Sequence, residues 1–200
     1  GSDPDAIVTN TDTVNIFMTL LSDNSQITEV TVTIPAGNTV PIVVTDSDGN
    51  PIGITLDFVN SSGGTVTIQA IEALPPVDST TTWVDPDGLI IEPVYPEKYF
   101  EISTDIEGAF VADIEFDYLS QAGIANPAAL RLANRPGNAG TSVAWNVIAL
   151  SETVIDEVNG SIVAKNQTSF GQWSMTSNES DNSFLGGTLV PNATVHSYGP

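Results

Sequence analysis

Residues 54–71 read ITLDFVNSSGGTVTIQAI, two runs of apolar and β-branched residues on either side of the turn sequence SSGG at 61–64. Isoleucine, valine, phenylalanine and threonine suit extended strands, whereas paired serines and glycines favour a tight turn. A third run of the same kind, VPIVV at 40–44, precedes them. This stretch therefore predicts short β-strands that are linked by tight turns.

The same pattern extends along the chain. VADIEFDYL at 111–119 alternates Ile114 and Phe116 with Asp113, Glu115 and Asp117, as expected of a strand with one buried face. No amphipathic helical pattern of about 11 residues or more is present. The sequence therefore predicts an all-β chain of mostly antiparallel, immunoglobulin-like β-sandwiches.

The best candidate for a linker is ALPPVDSTTT at 73–82, which has two prolines followed by a polar run. It predicts two tandem β-sandwich modules, at residues 1–79 and 80–180. A glycine-rich segment at 181–200 follows them as a tail or a final strand.

The charge balance restricts the class of partner. There are 25 Asp and Glu residues against 4 Lys and Arg residues, which gives a net charge of −21. Nucleic acids and anionic membrane surfaces both need cationic partners, so neither is expected to bind. No apolar run approaches the roughly 18 residues of a membrane helix, so no direct membrane insertion is expected.

Catalytic chemistry is poorly represented. The chain has no cysteine, and its one histidine, His196, lies in the predicted tail, far from a packed shell that could orient a general base. Glu115 and Asp117 lie about 7 Å apart along one strand face, a spacing that glycosidase carboxylates can have. The alternation of the strand explains this pair equally well as a solvated sheet face. We therefore expect no enzymatic activity.

The segment TDSDGNPIG at 45–53 resembles a calcium loop in composition. An EF-hand loop beginning at Asp46 would place oxygen side chains correctly at Asp48 and Asn50. It would, however, have Pro51 at the sixth position, where glycine must allow a sharp bend. A hairpin turn that uses the DG pair, with Pro51 opening the next strand, fits better. A weak cation site remains the alternative.

DPDG at 85–88 repeats this carboxylate turn near the start of the second predicted module. Hard oxygen donors in rigid turns suit Ca²⁺, which is the one cofactor that we expect. The candidate calcium ligands are Asp46, Asp48, Asp85 and Asp87.

Three tryptophans raise the question of glycan binding, because exposed aromatic rings stack on sugars. Trp83 and Trp173 have polar neighbours in the sequence and are the candidate glycan platforms, whereas Trp145 in SVAWNVIAL is expected in the core. The alternative is that all of them fill the sandwich interior.

Two stretches resemble known families. VTDSDGNPIGITLDFVNSSGGTVTI at 44–68 resembles the immunoglobulin-like repeats of bacterial surface adhesins, in which a D-x-x-GNP turn joins core strands. The segment from GLIIEPVYPEKYFEIST at 88–104 to NGSIVAKNQTSFGQWSMTSN at 159–178 is similar to a β-sandwich module of Bacteroidota secreted and cell-surface proteins. That module often precedes the sorting segment of the type IX secretion system.

These resemblances imply a bacterial, extracellular or cell-surface setting and no catalytic residues. The leading hypothesis is a non-enzymatic structural or adhesive module of a larger surface protein, with neighbouring modules of that protein as partners. The alternatives are a carbohydrate-binding accessory region of a secreted polysaccharide-degrading enzyme, with glycan as partner, and a subunit of a surface layer or filament.

Overall fold

The computed structural model describes residues 26–77, 82–138, 140 and 142–184, together with the backbone of 18–20. Two mostly antiparallel sheets pack face to face, so the all-β prediction is confirmed. Among the described residues, no helix combines the length and apolar character required to cross a bilayer. His196, residues 78–81 of the predicted linker and nearly all of the predicted tail lie outside this part of the chain.

The described residues form fourteen strands and two short 3₁₀ turns, Pro127–Ala129 and Leu150–Glu152. The strands in chain order are β1 Met18–Leu20, β2 Gln26–Ala36, β3 Ile42–Thr45, β4 Pro51–Asn60, β5 Ser62–Glu72, β6 Trp83–Val84, β7 Pro93–Val94, β8 Tyr99–Thr104, β9 Val111–Asp117, β10 Arg131–Arg135, β11 Trp145–Val147, β12 Thr153–Asp156, β13 Ser161–Gln167 and β14 Gln172–Asn178.

The larger sheet contains nine of these strands, in the order β1-β2-β5-β8-β14-β10-β11-β6, with β7 paired to the end of β14. The smaller sheet contains five, in the order β12-β13-β9-β4-β3. Every described pairing is antiparallel except that of β6 with β11. Strand β14 therefore lies in the middle of the larger sheet, between β8 and β10.

The turn SSGG does not join two paired strands. Strand β4 pairs with β3 and β9 in the smaller sheet, whereas β5 pairs with β2 and β8 in the larger one. The chain thus crosses between the sheets at the buried Ser61, followed by Gly63 and Gly64 at φ of 87° and 151°. Glycine suits this corner because it adopts positive φ without a steric penalty.

The core lies between the two sheets and follows the period of two that the sequence predicts. Strand β9 buries Ile114 and Phe116, with Asp113 and Glu115 on the opposite face. The ring of Phe116 lies 5.8 Å from that of Trp173 in the facing sheet, so the two sheets interlock through aromatic contacts. Strand β4 contributes Ile52, Ile54, Leu56 and Phe58 to the same cluster.

The predicted boundary near residue 80 does not separate two sandwiches. Strand β5 pairs with β8 in the larger sheet, and β4 pairs with β9 in the smaller one, so both sheets combine strands from both sides of the boundary. One hydrophobic cluster contains buried residues from before and after it. The division into modules 1–79 and 80–180 is therefore corrected to one two-sheet sandwich. Hydrophobic alternation locates strands but does not identify their partners.

A second, smaller buried layer lies on the outer face of the larger sheet. Leu132 of β10 points into the main core, so its neighbours Arg131 and Ala133 point outward. Trp145 and Val147 of β11 lie on the same outer face as Ala133 and are buried as well. This outer layer explains why β14 is buried on both faces.

Candidate functional site

The loop at Asp46–Gly49 is a hairpin turn between β3 and β4. Oδ1 of Asp46 accepts the backbone N–H groups of Asp48 at 2.9 Å and Asn50 at 2.8 Å, and Oδ2 accepts the Asn50 side-chain amide at 3.3 Å. Gly49 has a φ of 83°, and β4 begins at Pro51, as the turn prediction requires. The N–H of Asn50 is the main cause of the lowered pKa of Asp46. The carboxylate closes the turn.

The loop at Asp85–Gly88 has the same design. Asp85 accepts the N–H of Asp87 through Oδ1 and the N–H groups of Leu89 and Ile90 through Oδ2, the last two at 2.6 Å. Partial burial alone would raise the pKa of Asp85, but the donated N–H bonds lower it. Oδ2 of Asp87 accepts the N–H of Leu150 at 2.7 Å, which ties this loop to the second 3₁₀ turn.

A third loop of this kind joins β12 to β13 and was missed in the sequence. Oδ1 of Asp156 accepts the N–H groups of Val158 and Asn159, both at 3.0 Å, and Oδ2 accepts the Asn159 side-chain amide at 2.7 Å. These bonds, led by that of the Asn159 N–H, lower the pKa of Asp156. The signal was the sequence DEVNG at 156–160, an aspartate followed by an Asn-Gly pair.

The four candidate calcium ligands lie in two separate loops. Asp46 and Asp48 belong to the hairpin of the smaller sheet, and Asp85 and Asp87 follow β6 at the edge of the larger sheet. Within the described part of the chain, no group of three or more His, Cys, Asp or Glu side chains is arranged to hold a metal ion. Asp48 is the one candidate among the four whose side chain makes no described hydrogen bond. Calcium binding at these loops stays a prediction.

Two of the three tryptophans are buried and one is exposed, which differs from the prediction for Trp173. Trp173 is fully buried at 0% exposure, so its assignment as an exposed glycan platform was wrong. Its polar neighbours in sequence, Gln172 and Ser174, are buried too, because both faces of β14 are covered. Trp145 is also fully buried, as expected. Trp83 is 39% exposed at the edge strand β6, and its indole N–H donates to the Ile90 carbonyl at 3.2 Å.

The predicted acidic stripe of β9 lies on the outer face of the smaller sheet. Asp113 is directly opposite Asp57 of β4, and Lys165 of β13 contacts Asp113 at 2.8 Å. Asp117 accepts the N–H of Leu119 at 2.8 Å, so it closes the end of the strand. The half-buried Glu115 lines two small clefts on this face, which has the arrangement of a solvated acidic surface.

The four cationic side chains all have protein partners. Lys98 contacts Glu72 at 3.0 Å, and Lys165 contacts Asp113. Arg135 is 2% exposed and donates to oxygens of Gln172, Pro76, Gly140 and Val143. Arg131 is 8% exposed and donates only to backbone carbonyls. The described surface therefore has no unpaired, exposed cation for a polyanion.

Comparison with known proteins adds no relative. No family model, no curated protein and no solved structure matches this chain.

Proposed function

We propose that this chain is a non-enzymatic, extracellular module of a larger bacterial surface protein, with a structural and adhesive role. The observation that carries the proposal is the use of carboxylates in the three aspartate loops, at Asp46, Asp85 and Asp156. Each first aspartate accepts two or more backbone N–H groups and so stiffens its own loop. Short, internally bonded loops favour a rigid spacer over a mobile catalytic lid.

The charge distribution supports the same role. At a net charge of −21, with both lysines in ion pairs and both arginines buried, the surface repels polyanions and other copies of itself. Such a module stays soluble between its neighbours in a longer protein. The resemblances of 44–68 and 88–178 to bacterial adhesin repeats and Bacteroidota surface modules support the proposed setting.

One observation favours a second candidate, a carbohydrate-binding accessory region. Trp83 is 39% exposed, and the bond from its indole to Ile90 holds the ring in one orientation. A fixed, exposed ring is a suitable stacking surface for a sugar, because little side-chain entropy is lost on binding.

A glycan array and a hydrolase panel on the same sugars, each with and without Ca²⁺, test both candidates. We expect no hydrolysis. Reproducible hydrolysis that Glu115→Gln abolishes would overturn the non-enzymatic proposal. Glycan binding that is lost in Trp83→Ala but kept in Val84→Ala, with unchanged melting of both variants, would favour the carbohydrate-binding role. Val84 is the matched control because it is the adjacent exposed residue of β6, at 55% exposure.

A further inference from the structure

Arg131 is a buried cation without an anionic partner. It is 8% exposed and forms no ion pair with any described carboxylate. Its Nη1 donates to the carbonyls of Ala128 at 3.1 Å and Leu130 at 2.6 Å. Nε is buried without an acceptor, and no described acceptor bonds Nη2. A buried, unpaired charged donor costs free energy, so this arrangement calls for an explanation.

The free side of this guanidinium has a specific chemistry. Nε is sealed from solvent, whereas Nη2 is neither sealed nor bonded to a described acceptor, so its N–H groups are the ones that a carboxylate oxygen can reach. The other side, through Nη1, is already held by the first 3₁₀ turn. The arginine is therefore oriented by the backbone of the preceding residues and leaves Nη2 available.

Arg131 lines a surface cleft of about 330 Å³, whose other walls include Leu89, Asn126, Asn178 and Asp181. This volume is at the lower end of the range of small-molecule sites, so it suits one sugar or one amino-acid residue. Leu89 is 44% exposed and supplies an apolar wall beside the polar ones.

Two asparagines hold the walls of the cleft in place. Oδ1 of Asn178 accepts the N–H of Ile91 at 2.7 Å, and its Nδ2 donates to the Leu89 carbonyl at 2.8 Å. The buried Asn182 accepts the N–H of Asn126 at 2.8 Å and donates to its carbonyl at 3.0 Å. The cleft is therefore preformed, which reduces the entropy lost when a ligand binds.

We propose that this cleft binds a small ligand that carries a single carboxylate, held by Nη2 of Arg131. The negative charge of the whole chain and the presence of Asp181 in the wall disfavour polyanions, whereas one carboxylate in direct contact with a guanidinium gains a strong charge-assisted bond. A sugar acid and a C-terminal amino acid share this chemistry. The inference goes beyond the proposed function, because a structural role requires no such ligand.

The chain has only two arginines, Arg131 and Arg135, so a ¹H–¹⁵N spectrum of arginine Nε–H groups should contain two signals. The Arg135 Nε–H is bonded to Gln172, and Arg131→Met assigns the other signal. The ligands to titrate, at constant ionic strength, are galacturonate against galactose and N-acetylalanine against its amide. We expect a saturable shift of the Arg131 signal with an acid, since a bond at Nη2 perturbs the whole guanidinium, and no shift with either neutral analogue. The acid that saturates at the lower concentration identifies the source.

Two variants and one control test the assignment. Arg131→Met should weaken acid binding about tenfold, because it removes a charge-assisted hydrogen bond. Asp181→Asn should tighten binding about threefold, because it removes a like charge from the wall. Lys98→Met removes the same charge as Arg131→Met from a remote surface pair and should leave binding unchanged.

The result that overturns the proposal is the absence of a saturable shift with both acids in the unmodified protein. Equal shifts with the acids and their neutral analogues would overturn it too. If Arg131→Met fails to fold, titrations of the unmodified protein and of Asp181→Asn still test the proposal, since both proteins keep the arginine. Failure here would leave the structural role untouched, because that role is tested by hydrolysis and glycan binding.

Discussion

The guanidinium of Arg135 lies over the ring of Trp145, with its central carbon 4.4 Å from the ring centroid. Tyr95 packs on the same tryptophan at 5.8 Å, and burial raises the pKa of Tyr95 to about 12 despite the nearby Arg135. Arg135 also bonds to carbonyls of two loops, at Pro76 and Val143, as well as to Gln172 of β14. It therefore joins the outer layer of the larger sheet to the loops that cover it.

Replacing this arginine should be costly. Arg135→Met leaves the buried Gln172 side-chain oxygen and three partly buried carbonyl oxygens without their donor, so we expect the free energy of unfolding to fall by about 2–4 kcal/mol. Lys98→Met removes the same charge from a partly exposed ion pair and should cost less than about 1 kcal/mol. Urea denaturation of both variants at one salt concentration measures the difference, and equal costs would contradict the role assigned to Arg135.

Gly171 is required by close packing of the backbone. A Cβ at this position would lie 2.3 Å from the carbonyl oxygen of Arg135, the last residue of β10, so the backbone would have to move. We expect Gly171→Ala to lower the free energy of unfolding by about 3 kcal/mol. Gly49→Ala is the matched control, because its Cβ would meet open space and only the positive φ of 83° is unfavourable, at about 1 kcal/mol. A smaller loss in Gly171→Ala than in Gly49→Ala would argue against this packing.

The Asp85 loop should make stability depend on pH. The pKa of Asp85 is lowered below the ordinary value of 3.8, so its ionised form stabilises the folded state above that pH. This contribution is lost as the pH falls through the lowered folded-state pKa. We expect Asp85→Asn to cost about 1 kcal/mol at neutral pH and almost nothing well below the ordinary value. Chemical denaturation across that range measures it, and a pH-independent cost would contradict the mechanism.

The facing pair Asp57 and Asp113 should be a source of electrostatic strain. Like charges opposite each other on neighbouring strands are destabilising, although Lys165 offsets part of the repulsion. Asp57→Asn should therefore raise the free energy of unfolding by a few tenths of a kcal/mol at low salt, a gain that NaCl removes by screening. Asp48→Asn removes one charge from an exposed loop and should give a smaller gain. Thermal melting of both variants at several NaCl concentrations measures these gains. A gain in Asp57→Asn that persists at high salt would show that charge repulsion is not its source.

Calcium binding at the Asp46–Gly49 loop, which we retain as a proposal, has its own test. Screening alone should raise the melting temperature equally in NaCl and CaCl₂ at matched ionic strength, because the chain carries −21 charges. A bound calcium adds a further rise in CaCl₂. Asp48→Asn should abolish that rise without disturbing the turn, since Asp46 makes the closing bonds. An equal response in the two salts would exclude the site.

Much of the candidate site could be predicted from local chemistry. The predictions that failed did so for identifiable reasons. The turn at Asp46 was correct because an aspartate, its next few N–H groups and a glycine form a unit that needs no distant partner. The assignment of Trp173 failed because its burial depends on which strands flank β14 and what covers them. Arg131 carried no local signal at all, since its burial results from the outer layer of the larger sheet.

The sequence by itself determined the strands with regular alternation, the face that each of them buries, and the aspartate turn at Asp46. These features depend on side chains within a few residues of one another, as in the alternation of Ile114 and Phe116 with Asp113 and Glu115. Only the tertiary structure decided that the chain crosses between sheets at Ser61, that one sandwich replaces two, and that Arg131 lacks an anionic partner. Strand partners are selected by the summed packing of distant segments, because many pairings satisfy the same local pattern and only one buries all the apolar faces together.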